Sequence, residues 1–510
     1  MKRSTTILIN SMATASSQLV SLATAFYLLP RVVNIVGLES FGLWSTVGSI
    51  IMLIGLADAA TTASVMRTVA HAQDSERSNV LRAAIPTLGL LVTLVHIGVA
   101  TFLVTLAHFP NVMLLSSDSD LTETWAALLN IGALIALSTS LSSISGGILM
   151  GLQKFWFRTL AQCAYCLTML SGYVFFVIPC DSIITYGWVF LAATLVSSLF
   201  QLIAAALLMN KHLVHFTVSL RSTKNLVNFS TIMTVNQVAD YLMYTTDRLI
   251  LQYVCGGASV TIYHVASRCN DMGQAFISFP LSAIIPPLAL ADAQGQKDYI
   301  VRMVTTGSLI YAVLTIPVIG AWLALMKPFM TLWMGEGISI EATSASILFV
   351  STTFVAIPFK VLSHLFVAQG LMRKIATVKC LYAVFNVCMS IYLAQRIGLI
   401  GVVLPTAFYW WCVHPGVILW IVRSTGIVSV ITVLRLMIPV VAVFVISMAL
   451  GITATYINIP YGWIGFFVLF AFYALLCGLV FAVSATFSNM EYCQDAWNYI
   501  RYFVCKKEPL

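Results

Sequence analysis

Four polar side chains recur at helical intervals along the apolar segment 225–253. They are spaced by four, four and three residues: Asn236, Asp240, Tyr244 and Asp247. Such spacing places side chains on one face of an α-helix. The apolar segment 7–30 has a similar stripe, formed by Asn10, Thr14, Ser17, Gln18, Ser21 and Thr24. The two stripes predict helices that line a water-filled cleft, although hydrogen bonds between packed membrane helices use the same residue types.

Three aspartates in apolar segments are candidates for binding a coupling ion, because ionisable groups inside a membrane are costly and usually functional. They are Asp58, Asp240 and Asp247. Asp58 lies near the inner end of the segment 40–63, and no basic residue shares its helical face. Its carboxylate is therefore a candidate for taking up a proton in one state and releasing it in another. A solvated helix end is the alternative interpretation.

Four cations and two amides are candidates for contacting an anionic substrate: Arg268, Lys360, Arg248, Arg31, Asn236 and Gln18. Arg268 is the most deeply placed base in the second half of the chain. It can equally pair with Asp240 at a similar depth, or with Asp271 three residues along its own helix. Lys360 can equally extend towards the cytoplasm, and Arg248 lies near the outer interface, where a long side chain reaches water.

The composition shows which elements must position these residues. Of the 510 residues, 60% are hydrophobic and 9% are Asp, Glu, Lys or Arg, whereas soluble domains have about 25% charged residues. This excludes a soluble enzyme and a disordered chain, and it predicts an all-α polytopic membrane protein.

About 20 apolar residues span a bilayer, and about 14 such stretches occur. They are 7–30, 40–63, 83–108, 125–150, 159–179, 186–209, 225–253, 260–288, 302–327, 343–367, 376–395, 399–421, 430–456 and 462–485. The least clean spans are 225–253 and 260–288.

The basic residues alternate in a way that predicts topology. With the N-terminus in the cytoplasm, most of the 26 lysines and arginines fall in inner segments. The outer segment 116–123 carries three acids and no base. The positive-inside rule therefore predicts an even number of spans with both termini in the cytoplasm.

The two halves of the chain match at one gapless offset of 219 residues. Gly37 then aligns with Gly256, and Gln18 aligns with Gln237. A parallel repeat predicts two six-helix lobes around a central cleft. Residues 1–224 would hold helices 1–6, residues 225–424 helices 7–12, and residues 425–510 two extra helices and a cytoplasmic tail. Coincidence among short glycine-rich loops is the alternative.

Other chemistries find little support in the residue spacing. Cys163 and Cys166 form one pair inside an apolar span, and metal sites need several convergent ligands. We expect His96, His264, His364 and His414, which lie in or near spans, to be hydrogen-bonded packing residues. Because no G-x-x-x-x-G-K-[ST] phosphate loop occurs, we expect an ion gradient, the membrane potential or the substrate gradient to drive transport. No cofactor, metal or nucleic-acid partner is predicted.

Five runs in the first twelve predicted helices carry a family resemblance: 36–44, 53–62, 246–251, 260–266 and 398–405. They are similar to segments of Wzx-type polysaccharide repeat-unit flippases in the multidrug/oligosaccharidyl-lipid/polysaccharide (MOP) exporter superfamily. The resemblance implies a non-enzymatic flippase of the bacterial inner membrane. Its implied substrate is an undecaprenyl-pyrophosphate-linked oligosaccharide, such as an O-antigen unit, moved outward by alternating access. Membrane lipid, a polysaccharide polymerase and a chain-length regulator are the implied partners.

A cation-coupled multidrug exporter of the same superfamily is the alternative function. It would need an acidic, aromatic cleft, and the charges within the spans do not decide between the two. A membrane polymerase or ligase would be expected to carry a large outer loop with catalytic residues, whereas the outer connections here are short. Related flippases place cations on helices 1 and 2, but helix 1 here has none between Arg3 and Arg31. The resemblance therefore does not extend to that pattern.

Overall fold

The computed structural model describes residues 3–71, 77–109, 119–209, 237–335, 340–369, 371–454 and 462–488. All regular structure within these ranges is helical. Twelve of the helices are long and apolar enough to cross a membrane. The prediction of an all-α polytopic membrane protein is confirmed.

Eight helices run from the N-terminal region to residue 293. Their bounds are α1 Arg3–Val36, α2 Leu38–His71, α3 Arg77–Ala107, α4 Ser119–Gly151, α5 Phe155–Cys180, α6 Ile183–Met209, α7 237–244 with Thr246–Cys255, and α8 Gly257–Ala293. α7 is interrupted by a turn at Thr245. α5 contains one π-helical turn, Tyr173–Val177.

Seven further helices follow in the described chain. Their bounds are α9 Lys297–Ala324, α10 Met326–Met334, α11 Ile340–Ala368, α12 Met372–Ile397, α13 Leu399–Thr425, α14 Val430–Ala454 and α15 Trp463–Ser488. α9 and α13 each contain a π-helical turn, at Met303–Gly307 and Tyr409–Val413.

The predicted count of about 14 spans is not confirmed, because two predicted spans are not among the twelve. Part of 225–253 lies outside the described residues, which resume at residue 237. The span 260–288 lies within α8, which is a continuous helix. The other twelve predicted spans each overlap one of the membrane-length helices.

The contacts divide the chain into two compact units, residues 1–261 and 262–510. Residues 237–261 belong to the first unit, in which α7 packs against α2. In that unit α4 also packs against α2, α3 and α6. In the second unit α9 packs against α11, α14 and α15, and α12 packs against α13. The predicted lobes 1–224 and 225–424, and the appended 425–510, stay predictions.

Small residues allow α2 and α4 to approach closely. A Cβ atom at Gly147 would lie 2.8 Å from the Val65 side chain, and one at Gly151 would lie 2.6 Å from the Val69 side chain. Val65 and Val69 are almost fully buried in one apolar cluster. Close approach at glycine is the usual way in which membrane helices gain contact area, since lipid supplies no hydrophobic driving force between them.

The two glycines aligned by the offset of 219 adopt the same kind of backbone. Gly37 separates α1 from α2 with φ of +82°, and Gly256 separates α7 from α8 with φ of +85°. Side chains with a Cβ rarely adopt this conformation, so each glycine permits a sharp change of direction between two helices.

Candidate functional site

The start of α2 holds the start of α8 through one carboxylate. Glu39 accepts hydrogen bonds from the backbone amides of Gly257 (Oε1, 2.8 Å) and Ala258 (Oε2, 2.8 Å). The first amides of a helix have no partner within the helix, and the positive end of its dipole attracts an anion. Glu39 therefore satisfies two otherwise unpaired donors on another helix.

Two further features bring the same helix ends together. A Cβ atom at Gly42 would overlap the backbone carbonyl of Gly257. The Thr261 hydroxyl donates to the Leu38 carbonyl oxygen at 2.6 Å. We call Leu38, Glu39, Gly42, Gly257, Ala258 and Thr261 together the α2–α8 clamp.

Polar contacts continue along α2 beyond the clamp. The Thr46 hydroxyl donates to Oε1 of Gln252 on α7 at 3.1 Å, and both side chains are buried. The Tyr241 hydroxyl, also on α7, donates to the Ser49 carbonyl oxygen at 3.0 Å. These contacts are polar and few, so they can separate at a modest cost in free energy, since a neutral hydrogen bond contributes only about 1 kcal/mol net.

A second polar group of the first unit surrounds Asp58. The Ser143 hydroxyl of α4 donates to Asp58 Oδ1. His96 Nε2 of α3 lies 3.2 Å from the same oxygen. No basic residue shares the helical face of Asp58 on α2, but His96 on the neighbouring helix α3 lies beside it. His96 is fully buried and its Nδ1 lies 2.7 Å from the Val92 carbonyl oxygen, as expected of a hydrogen-bonded packing residue.

α8 carries an ion pair near its middle. Arg268 Nη1 lies 3.1 Å from Asp271 Oδ2, and Arg268 Nε donates to His264 Nε2 at 3.4 Å. The Arg268 and Asp271 side chains are 39% and 49% exposed. Of the two pairings that the sequence leaves open for Arg268, the one with Asp271 is present.

A chain of hydrogen bonds to α11 begins at Asn270, which lies between Arg268 and Asp271 on α8. Asn270 Oδ1 accepts from the Thr353 hydroxyl at 2.6 Å, and Thr353 Oγ1 accepts from Gln274 Nε2 at 2.6 Å. Lys360 Nζ donates to Gln274 Oε1 at 3.4 Å and lies 5.6 Å from the centre of the Trp410 ring. We call Arg268, Asn270, Asp271, Gln274, Thr353, Lys360 and Trp410 together the polar track.

A π-helical turn presents Trp410 to the polar track. The turn Tyr409–Val413 interrupts α13, and π-helical turns are rare and often occur at functional sites. The neighbouring Trp411 donates from Nε1 to the Ser351 hydroxyl of α11 at 3.2 Å. Two consecutive tryptophans are thereby fixed against α11, one beside the Lys360 ammonium group and one by a hydrogen bond.

The remaining predicted residues are more scattered. Arg31 donates from Nη1 to the Tyr27 carbonyl oxygen at 3.0 Å and stacks 3.7 Å from the centre of the Tyr27 ring. Gln18 is exposed on α1. Asp240 and Arg248 are half-buried, Asp247 is fully buried, and Asn236 lies outside the described residues.

The residues of the polar stripe of α1 do not all face the same environment. Asn10 is buried and donates from Nδ2 to Oε1 of Gln153, in the connection between α4 and α5, at 2.9 Å. Thr24 is also buried and bonds to its own helix. Thr14 and Gln18 are exposed. Part of the stripe therefore supports packing within the first unit.

Several residues with contacts at these sites had no functional role assigned from the sequence. Glu39, His96, Gln274 and Trp410 are the main ones. An acid next to a glycine-marked helix start is a recognisable signal for Glu39. No spacing links His96 to Asp58 or Trp410 to Lys360, because each pair joins different helices.

Comparisons with known proteins support the resemblance. The family model described as "Polysaccharide biosynthesis protein" matches residues 7–291. The uncharacterized membrane protein EpsK of Bacillus subtilis (strain 168) is 23% identical in an alignment of 430 positions, which covers 78% of this chain and 79% of EpsK. The lipid II flippase MurJ, in an inward closed conformation, has a TM-score of 0.68 at 17% identity. The similarity covers 94% of this chain and 98% of the MurJ chain.

A multidrug exporter is also similar in fold. An inward-facing multidrug resistance MATE family transporter of the MOP superfamily has a TM-score of 0.62 at 13% identity. The similarity covers 81% of this chain and 98% of that one. The family match therefore supports the predicted resemblance, and the solved structures of these transporters share the fold of this chain.

Proposed function

Because the chain belongs to the polysaccharide biosynthesis protein family, we propose that it is a flippase for an undecaprenyl-pyrophosphate-linked oligosaccharide repeat unit. The cargo would be a unit of O-antigen or of a related surface polysaccharide. The protein would move it from the cytoplasmic to the periplasmic leaflet of the bacterial inner membrane. Its lipid-linked substrate and membrane lipid would be its direct partners.

The observation that carries this proposal is the exposed ion pair of α8. Arg268 lies 11 residues after Gly257, or about 16 Å along the helix at 1.5 Å per residue. The hydrocarbon core is about 30 Å thick. Exposed charges at such a depth are tolerated where they face water or a polar ligand rather than lipid. A head group with negative charge is such a ligand.

The rest of the polar track suits a pyrophosphate joined to sugars. Lys360 supplies an ammonium group for phosphate oxygens, and Arg268 supplies a planar guanidinium that can bind phosphate with two hydrogen bonds. The Trp410 ring offers an apolar face with a polar edge, against which a sugar ring can pack. Asn270 and Gln274 are suited to hydrogen bonds with sugar hydroxyls.

Alternating access requires a contact that can close and open. The α2–α8 clamp is suited to this role because it is short, polar and free of interlocking apolar side chains at Gly42 and Gly257. Separation of the two helix ends would expose the Glu39 carboxylate and the α8 amides to water, which satisfies both. An ion gradient, the membrane potential or the substrate gradient would supply the driving force.

Export of cationic drugs is the second candidate, because the fold resembles multidrug transporters. The charges of the polar track favour the flippase. Arg268 and Asp271 offset one another, and Lys360 adds one positive charge, so the formal sum is positive. A positive site attracts phosphate and repels a cationic drug.

Complementation tests the proposal. A flippase-null strain that makes one defined repeat unit should regain surface polysaccharide when the chain is expressed. Return of drug efflux without surface polysaccharide would favour the exporter and contradict the proposal.

Variants of the α8 ion pair test whether the head group binds there. Arg268→Ala strands a partly exposed carboxylate, so its loss of transport alone is ambiguous. Arg268→Ala with Asp271→Asn removes both charges and should restore the protein level but not transport. Arg268→Lys should keep part of the activity, and Arg396→Ala, at the exposed end of α12, is the matched control. Full transport in the double variant would contradict a substrate contact at Arg268.

A further inference from the structure

The start of α12 and the end of α13 present bases and a tryptophan on the surface of the second unit. Lys374, in the first turn of α12, places its Nζ 5.3 Å from the centre of the Trp420 ring of α13. Trp420 is 53% exposed, and Arg373, Lys374 and Arg423 are exposed as well. Arg423 follows Trp420 by three residues and therefore shares its helical face. We call Arg373, Lys374, Trp420 and Arg423 together the basic patch.

The basic patch has no acidic counterpart on its own helices. Residues 342–490 contain no aspartate or glutamate but seven lysines and arginines, so α12, α13, α14 and α15 carry no carboxylate side chain. No ion pair between residues that the structure describes includes a base of the patch. The positive charges of the patch are therefore available to an anion from outside the chain.

Helix stability does not explain the two bases at the start of α12. Arg373 and Lys374 lie in its first turn, which contains no acid. The positive end of the helix dipole lies at this turn and disfavours cations there. An anion bound at the patch would offset this unfavourable charge.

The surface next to the basic patch is apolar and open. Leu381 follows Lys374 by two turns on the same face of α12 and is 70% exposed. Gly416 precedes Trp420 by one turn on α13, and a Cβ atom there would meet no other atom within 4 Å. A free anion would make no use of this surface, whereas a molecule with both a charged group and a hydrocarbon chain would contact both parts.

We propose that the basic patch binds the head group of an anionic phospholipid, with the acyl chains along α12 and α13. Arginine and lysine donate charge-assisted hydrogen bonds to phosphate oxygens. Trp420 suits the same level of the membrane, because tryptophan rings concentrate where head groups meet hydrocarbon. Basic pockets between membrane helices on the cytoplasmic side bind such head groups, and the positive-inside rule predicts that side for the patch. The proposal does not depend on the proposed transport function.

The positive-inside rule by itself offers a second explanation of these bases. In that case the charges would only fix the orientation of α12 and α13 during insertion. Such a role needs neither the Lys374–Trp420 contact nor an exposed indole ring. The two explanations therefore differ in what removal of Trp420 should do.

Native mass spectrometry of the full chain in detergent, with added phosphatidylglycerol or phosphatidylcholine, tests lipid binding directly. The parent should retain phosphatidylglycerol preferentially. One base near an anionic lipid changes affinity about fivefold, so Lys374→Ala should lower retention about fivefold and Lys374→Ala with Arg423→Ala about twenty-fivefold. Arg396→Ala is the matched control, because Arg396 contacts the Tyr392 ring at 5.8 Å at the other end of α12. Equal retention of both lipids by the parent, or an equal loss in Arg396→Ala, would overturn the proposal.

Trp420→Ala separates lipid binding from a role in orientation, because it leaves every charge in place. An exposed cation–π contact changes affinity about two- to fivefold, so Trp420→Ala should lower phosphatidylglycerol retention by this factor, and Trp420→Phe should lower it less. Unchanged retention in Trp420→Ala would leave only the role in orientation and contradict the proposed site. Displacement of the lipid by millimolar inorganic phosphate would indicate a site for a free anion, and the lipid assignment would then be wrong.

Discussion

Removing the Glu39 carboxylate should open the α2–α8 clamp. Glu39→Ala deletes the acceptor of the Gly257 and Ala258 amides, each now bonded at 2.8 Å. The substitution leaves the helix α2 intact, because alanine is the best helix former. The expected result is a larger population in which the starts of α2 and α8 are apart.

The size of the effect follows from the geometry of the carboxylate. An anion at a partly buried helix N-terminus contributes up to about 2 kcal/mol. Each charge-assisted hydrogen bond contributes about 1.5–3 kcal/mol, but Glu39 is only half-buried, so water replaces part of what is lost. A net value of about 2 kcal/mol corresponds to roughly a thirtyfold shift in the equilibrium. Glu39→Gln keeps one neutral acceptor and should give a smaller shift.

Spin-label distances can measure this equilibrium. Labels on cysteines at Asn34 and Ser259, in a chain without its native cysteines, report the separation between the end of α1 and the start of α8. The parent should show mainly a short distance, and Glu39→Ala should add a longer one. Glu341→Ala is the matched control, because it removes an exposed acid from the first turn of α11.

The distances would refute the reasoning if they showed no longer component in Glu39→Ala. The same conclusion would follow if Glu341→Ala produced an equal change. Because Thr261 still bonds to Leu38 and Gly42 still packs on Gly257, the clamp should weaken without the unit unfolding. Circular dichroism should therefore be unchanged.

Two further results are expected. Gly42→Ala places a Cβ against the Gly257 carbonyl, an overpacking strain of about 1–3 kcal/mol, so the same spin labels should move apart. Lys360→Ala should lower transport about ten- to a hundredfold, the effect of losing a charged hydrogen bond of about 1.5–3 kcal/mol, while Lys360→Arg should retain part of it; equal activity in all three chains would contradict a phosphate contact.

Much of the fold was accessible from the sequence because lipid constrains it so strongly. Long apolar runs can satisfy their backbone groups in a membrane only as helices or closed barrels, and twelve of the predicted spans overlap membrane-length helices. The breaks at Gly37 and Gly256 were also marked by their residue type. The spacing of three residues between Arg268 and Asp271 likewise predicted their ion pair as one of two possible pairings, and that ion pair forms.

The partners of single polar residues were less accessible. Asp58 and His96 are 38 residues apart on different helices, and their contact depends on how α2 and α3 are rotated about their axes. Periodicity within one helix contains no information about that rotation when polar residues are isolated. The same holds for Lys360 and Trp410, where a π-helical turn also changes the direction of the side chain.

The clamp and the contacts that Asp58 makes with α3 and α4 share the helix α2, and this suggests how they influence each other. Glu39 and Asp58 are 19 residues apart on α2, about 28 Å at 1.5 Å per residue. A continuous helix transmits a tilt along its length, so displacement of α2 from α3 at Asp58 would act on the contact at Glu39. Gly48 and Gly55 lie between them, and a Cβ at either would meet no atom within 4 Å. Close packing therefore does not explain these glycines, and they mark the positions at which bending of α2 would weaken the transmission.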